Sequence, residues 1–125
     1  MEKPIDPKTI ALQFNECINR RDLEGLVNLM TDNHTFIDSA NNIITGRSDN
    51  QKNWASFFEL FPGYRNVFES VCSKKSTVVM QGYSICPDEK LHNARAIWTA
   101  QMEGDKVKEW RIYLDNEENK VKIKY

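Results

Sequence analysis

The chain has 125 residues, enough for one domain with a buried core of its own. A hydrophobic content of 40% and a charged content of 28% lie near globular averages and exclude a disordered chain. Seventeen Lys and Arg against eighteen Asp and Glu leave a net charge of −1 without a basic stripe, which argues against a nucleic-acid partner.

No apolar run approaches the roughly 18 residues of a membrane span. The opening "MEKPIDPKTI" has neither a positive segment nor an apolar one, so no membrane partner and a cytoplasmic location are expected. Cys17, Cys72 and Cys86 are odd in number and lack motif spacing, which makes them small buried hydrophobes. With no CxxC and no Cys/His cluster, neither a metal nor a cofactor is expected.

The first helix starts at Pro7 behind Asp6, a capping residue, and carries Ile10, Phe14, Cys17 and Ile18 on one face. Asp22 is placed to cap a second helix with Leu23, Leu26, Val27 and Met30 at helical spacing. "TDN" closes it, and residues 34–38 form a first strand. Ser48 and Gln51 suggest a capping box for a third helix, whose stripe is Trp54, Phe57, Phe58 and Phe61 before "FPG". Such a stripe serves as core packing or as the wall of an apolar pocket.

From Asn66 the text turns to strands: "NVFESVCS", "STVVMQGYSIC", "NARAIWTAQM", "KVKEWRIYLD" and "VKIKY". In the last of these, Lys120, Lys122 and Lys124 alternate as the charges of a guarded edge strand do. Three helices followed by long strands predict an α+β fold over residues 1–125, a single domain. Its mostly antiparallel sheet, strongly twisted, curls into a cone capped by the three N-terminal helices.

Strand alternation puts His34, Phe36 and Asp38 on one face of 34–38. Asp38 is then either a carboxylate in the cone or a turn residue for "DSANN". In the last long strand, Trp110, Ile112 and Leu114 oppose Arg111, Tyr113 and Asp115, and the two sets compete for the interior. Arg95 and Arg111 would bind an acidic ligand inside the cone or pair with Glu69 or Glu109. His34 and His92 are the only histidines, each read at a strand start.

"NRRDLEGLVNLMTDNHTFID", the glycine of "TGR", "FFELFPG" and "GDKVKEWRIYLD", in that order, resemble the nuclear transport factor 2-like superfamily. The similarity lies with its SnoaL-like branch of polyketide cyclases and with ketosteroid isomerases. It covers nearly the whole chain and implies a cone-shaped α+β barrel, a homodimer, and a pocket for a small hydrophobic molecule. It also implies proton-transfer chemistry on an apolar carbonyl compound, isomerase- or cyclase-like, with Asp38 as base and Asp115 or Tyr113 assisting. Phe14, Phe36, Trp54, Phe58, Trp98 and Tyr113 are the expected ligand-binding residues.

The isomerase pattern fails at two positions. Counting back from Asp22 to the place of the isomerases' oxyanion-hole tyrosine lands on Phe14, which has no donor. Their second donor falls near Ile97 or Trp98, of which only Trp98 can donate. Losing one oxyanion donor costs on the order of 3 kcal/mol in the barrier, which argues against steroid isomerisation. The alternative is a non-catalytic binding or dimeric interaction module on the same fold.

Overall fold

The structure, a computed structural model, describes residues 5–87 and 95–123. Helix α1 (Pro7–Arg20) begins as its sequence predicts: the Asp6 carboxylate accepts from the Lys8 amide at 2.9 Å and Pro7 opens the first turn. The helix stops at Arg21, whose φ of 55° is left-handed. Asp22 caps α2 (Leu23–Asn28), accepting from the Gly25 amide at 3.0 Å.

Strand β1 (Met30–Ile37) starts four residues before the expected His34, so Met30 belongs to it and not to the second helix. The reason is tertiary. The Val107 amide donates to the Leu29 carbonyl at 2.7 Å, and Met30 pairs with Val107 of a distant strand. A short strand that the sequence reading missed, β2 (Ile43–Thr45), folds back on β1.

Helix α3 (Arg47–Leu60) carries no side-chain cap, so the expected Ser48–Gln51 box does not form. Gly46 occupies the cap position instead, with φ of 99°, a conformation open mainly to glycine. Buried Asn50 fixes this corner by donating to the carbonyls of His34, Ile44 and Gly46 at 2.9–3.1 Å.

Strands β3 (Arg65–Lys74), β4 (Thr77–Ile85), β5 (Arg95–Glu103) and β6 (Lys106–Leu114) form a meander. The sheet order is β2-β1-β6-β5-β4-β3, antiparallel except between β1 and β6, and the sheet is curved and unclosed. Gly82 sits where β3 bulges, and a Cβ there would lie 1.9 Å from the Val67 carbonyl oxygen.

The final segment is helix α4 (Glu117–Ile123), not the expected edge strand. β6 is already paired on both sides, so a strand folding back from it has no edge to join. Asn116 starts a helix locally, its side chain accepting from the Asn119 amide at 2.8 Å. Lys124 lies outside the described residues.

Helices α1 and α3 cover one face of the sheet, and the core lies beneath them, with Phe14, Trp98, Trp110, Met30, Met80 and Leu26 almost wholly buried. One expectation fails here: Cys72 is exposed, because its register partner Val79 puts it on the other face of an edge strand. No helix among the described residues is long and apolar enough to cross a membrane.

Candidate functional site

A cavity of about 330 Å³ opens between α3, the end of β1 and the helix-covered face of β6. Phe36, Asp38, Ser39, Ala40, Asn53, Trp54, Phe57, Tyr64 and Ile112 line it. The register explains why: Phe36 pairs with Trp110, so alternation brings Ile112 to the same face. α3 supplies Asn53, Trp54 and Phe57 from successive turns.

Asp38, half-exposed, makes the turn bonds that the sequence offered as one of its two roles. Its Oδ1 accepts from the amides of Ala40 and Asn42, both at 2.9 Å, and its Oδ2 from the Asn42 side chain at 3.0 Å. The carboxylate thus organises the turn and borders the cavity together. Burial pushes its pKa up, but the Asn42 side chain and the amides of Asn42 and Ala40 outweigh that and hold it below the ordinary carboxylate value. An anion held in this way is a good acceptor and a weak base.

The aromatic wall is steeply cornered. Phe36 and Trp54 meet at 5.2 Å and 70°, Trp54 and Phe57 at 5.6 Å and 79°, and Phe57 and Tyr64 at 4.9 Å and 84°. The Tyr64 hydroxyl lies 3.0 Å from Ser84 Oγ, which donates to Asn66 at 3.1 Å; Asn66 in turn donates to Asn15 at 3.0 Å. This buried chain ties the wall to α1. Burial raises the Tyr64 pKa, so its phenol stays protonated. The Trp54 indole N–H is buried without an acceptor among the described residues.

Of the expected ligand-binding residues, Phe36 and Trp54 line the cavity. Phe14 does not: it is fully buried between Trp110 (4.5 Å) and His34 (5.6 Å). Trp98 is likewise core, packed on Phe68 at 5.0 Å. Phe58 packs against Trp54 at 5.8 Å without lining the cavity. Tyr113 stands on the opposite face of the sheet, where Arg111 lies 4.6 Å over its ring.

Asp115 shares that opposite face. Its carboxylate accepts from Gln81 at 3.2 Å and pairs with Arg95 (3.8 Å) and Lys120 (3.5 Å). The sheet therefore separates Asp38 from Asp115, and the two do not form a catalytic pair. Arg95, bound to Glu69 as the second of the two readings had it, and Arg111, bonded to Asn41 at 3.1 Å, lie outside the cone and not among its interior residues.

His34 is fully buried with Nδ1 2.7 Å from the Val107 carbonyl, and His92 lies outside the described residues. Sequence reasoning missed Tyr64 and Ile112 as wall residues. The signal for Tyr64 was its position directly after the "FPG" stop, where the chain leaves α3 and re-enters the sheet.

The profile of the SnoaL-like domain matches residues 11–110. The chain belongs to the SnoaL-like family. Comparison with curated proteins finds no match. Among solved structures, this SnoaL-like chain is similar to an NTF2-like protein of unknown function from Cytophaga hutchinsonii, with a TM-score of 0.74, 13% identity and full coverage of both chains. A proposed SnoaL-like polyketide cyclase from Shewanella putrefaciens gives a TM-score of 0.76 at 17% identity over 94% of this chain and 86% of the other. An LEH-like epoxide hydrolase of M. tuberculosis gives 0.74 at 11% identity over 87% and 82%. These neighbours share the SnoaL-like, NTF2-like fold and differ in chemistry, so the fold alone is what the likeness conveys.

Proposed function

We propose that this SnoaL-like protein binds a small, largely apolar molecule in the cavity beneath α3, with Asp38 as its polar anchor. One observation carries the reading: a cavity of about 330 Å³ joins an aromatic wall to a carboxylate whose Oδ2 accepts a single hydrogen bond. Pockets of this size and make-up, apolar with few convergent polar groups, hold small ligands. The remaining acceptor site on Oδ2 would orient a donor of the ligand.

The test is a thermal-shift screen of apolar hydroxyl-, amine- and carbonyl-bearing compounds on wild type and Asp38→Asn. A binder at a hundred times its Kd stabilises the wild type by about 2.7 kcal/mol. The substitution is expected to abolish most of that shift for donor-bearing ligands. Shifts that ignore both Asp38→Asn and Phe57→Leu would put the ligand elsewhere and sink the proposal.

A catalytic reading uses the same cavity, because the Asp38 carboxylate borders it; the Tyr64 O–H is already given to Ser84, whose own proton goes to Asn66, so Asp38 would act without that phenol as donor. Asp38 would act as base on a C–H beside a carbonyl. That reading requires wild type to exchange such protons in D₂O, with Asp38→Asn slower by about 10²–10⁴-fold. No exchange with a bound carbonyl compound leaves the protein a binding module. The homodimer implied by the family resemblance belongs to this proposal as well, and light scattering on the purified chain tests it.

A further inference from the structure

Which polar group the bound molecule carries is written in the charge and ring geometry of the cavity. Phe36, Trp54, Phe57 and Tyr64 border one space, and each consecutive pair of ring planes turns by 70–84°. Rings at such angles do not stack in parallel, and all four border the same space, so the wall is aromatic on more than one side. The negative face of an aromatic ring attracts a cation, most strongly where water is excluded.

The rest of the wall agrees in sign. Among the described residues Asp38 is its only ionisable group besides the Tyr64 phenol, and no described Lys or Arg lines it. Three cations of the sheet have partners of their own: Arg111 bonds Asn41 and covers Tyr113, Arg95 holds Glu69, and Lys120 holds Asp115. Among the described residues, Asp38 has no ion-pair partner, and its neighbours Ala40 and Asn42 hold it as the anion with neutral donors alone. An acidic ligand would therefore enter against an uncompensated negative charge, while a cation would supply the missing counter-charge.

We propose that the cavity is a site for a small organic ammonium ion, held between the four aromatic rings and the Asp38 carboxylate. The inference rests on the cavity being a ligand site, and it names the chemical class of that ligand. A quaternary or tertiary ammonium suits the wall best, since its methyl groups pack against rings while its charge faces Asp38. Neutral isosteres keep the packing and lose the charge term.

The test compares choline, its uncharged isostere 3,3-dimethyl-1-butanol, and the acid 3,3-dimethylbutyrate, by calorimetry and by quenching of tryptophan fluorescence. Choline is expected to bind at least tenfold more tightly than the alcohol, and the butyrate not at all. Raising the salt concentration should weaken choline alone. Asp38→Asn should erase the preference for choline; Phe57→Leu, which keeps the carboxylate and removes one ring, should reduce it. Equal binding of choline and the alcohol overturns the ammonium assignment and leaves the apolar pocket standing. Failure of every compound, including the neutral panel above, overturns both. A trimethyllysine peptide runs beside them, and tighter binding of that peptide than of choline would overturn the small-molecule assignment.

Discussion

Burial holds the His34 imidazole at a pKa of about 4, against an ordinary 6.5; its contact with the Val107 carbonyl opposes the shift and does not offset it. The folded chain therefore refuses a proton that the unfolded chain accepts below pH 6.5. Stability is full above that value and falls as pH drops toward 4, by on the order of 3 kcal/mol. His34→Asn, whose amide can replace the Nδ1 donor, should flatten the slope of unfolding free energy between pH 6.5 and 4 in urea titrations. Asp38 titrates lower. Its folded pKa lies under the ordinary carboxylate value, so its contribution is present above the unfolded value of about 3.9 and is lost as pH falls through the folded one. Asp38→Asn should thus lose more stability relative to wild type at pH 7 than in acid below the folded value, where the wild type has also given up its anion. Both residues were visible as one strand face with Phe36. Which of them meets the cavity was not, since that depends on how far β1 extends beyond its neighbours.

Glycines 46 and 82 separate two ways in which an element can demand a glycine. Gly46 stands in a positive-φ conformation with open space around its missing side chain, so Gly46→Ala should cost about 1–3 kcal/mol through backbone strain alone. Gly82 has no such φ, but a methyl group would strike the Val67 carbonyl across the bulge. Gly82→Ala should cost about 3 kcal/mol or more and shift strand β3, which thermal unfolding and amide chemical shifts of Val67 and Phe68 would report. At the C-terminus, Asn116→Ala removes the acceptor for the Asn119 amide and should cost α4 about 1 kcal/mol, seen as faster amide exchange confined to that helix. The alternating lysines there were read as a strand because period-two patterning is genuine in "VKIKY". The pattern lost because the sheet offered no edge and Asn116 offered a helix start.

Across the whole molecule, protection should follow sheet position. β5 and β6 are central and paired on both sides, and β5 is largely buried, whereas β2 has three residues on an edge and α4 buries none of its own. Hydrogen exchange is expected to find the slowest amides in β5 and β6, opening only on global unfolding, and the fastest in β2 and α4. Exchange in β6 as fast as in β2 would contradict this order. The parallel contact of β1 with β6 joins the helical half of the chain to the meander, so the cavity exists only once that long-range pairing has formed.

The sequence alone determined the fold class, the first two helix starts, the four long strands and the aromatic stripe of α3. Those features rest on spacing and capping, which are local. Tertiary structure decided which aromatic residues became wall and which became core. Phe14 and Trp98 have the same chemistry as Phe36 and Trp54, and only the way α1 and α3 lie on the sheet separates them. It also divided the two candidate carboxylates, because a strand's two faces are equivalent in sequence until a helix covers one of them. Asp38 came to the covered side and Asp115 to the other, with its own partners Gln81, Arg95 and Lys120.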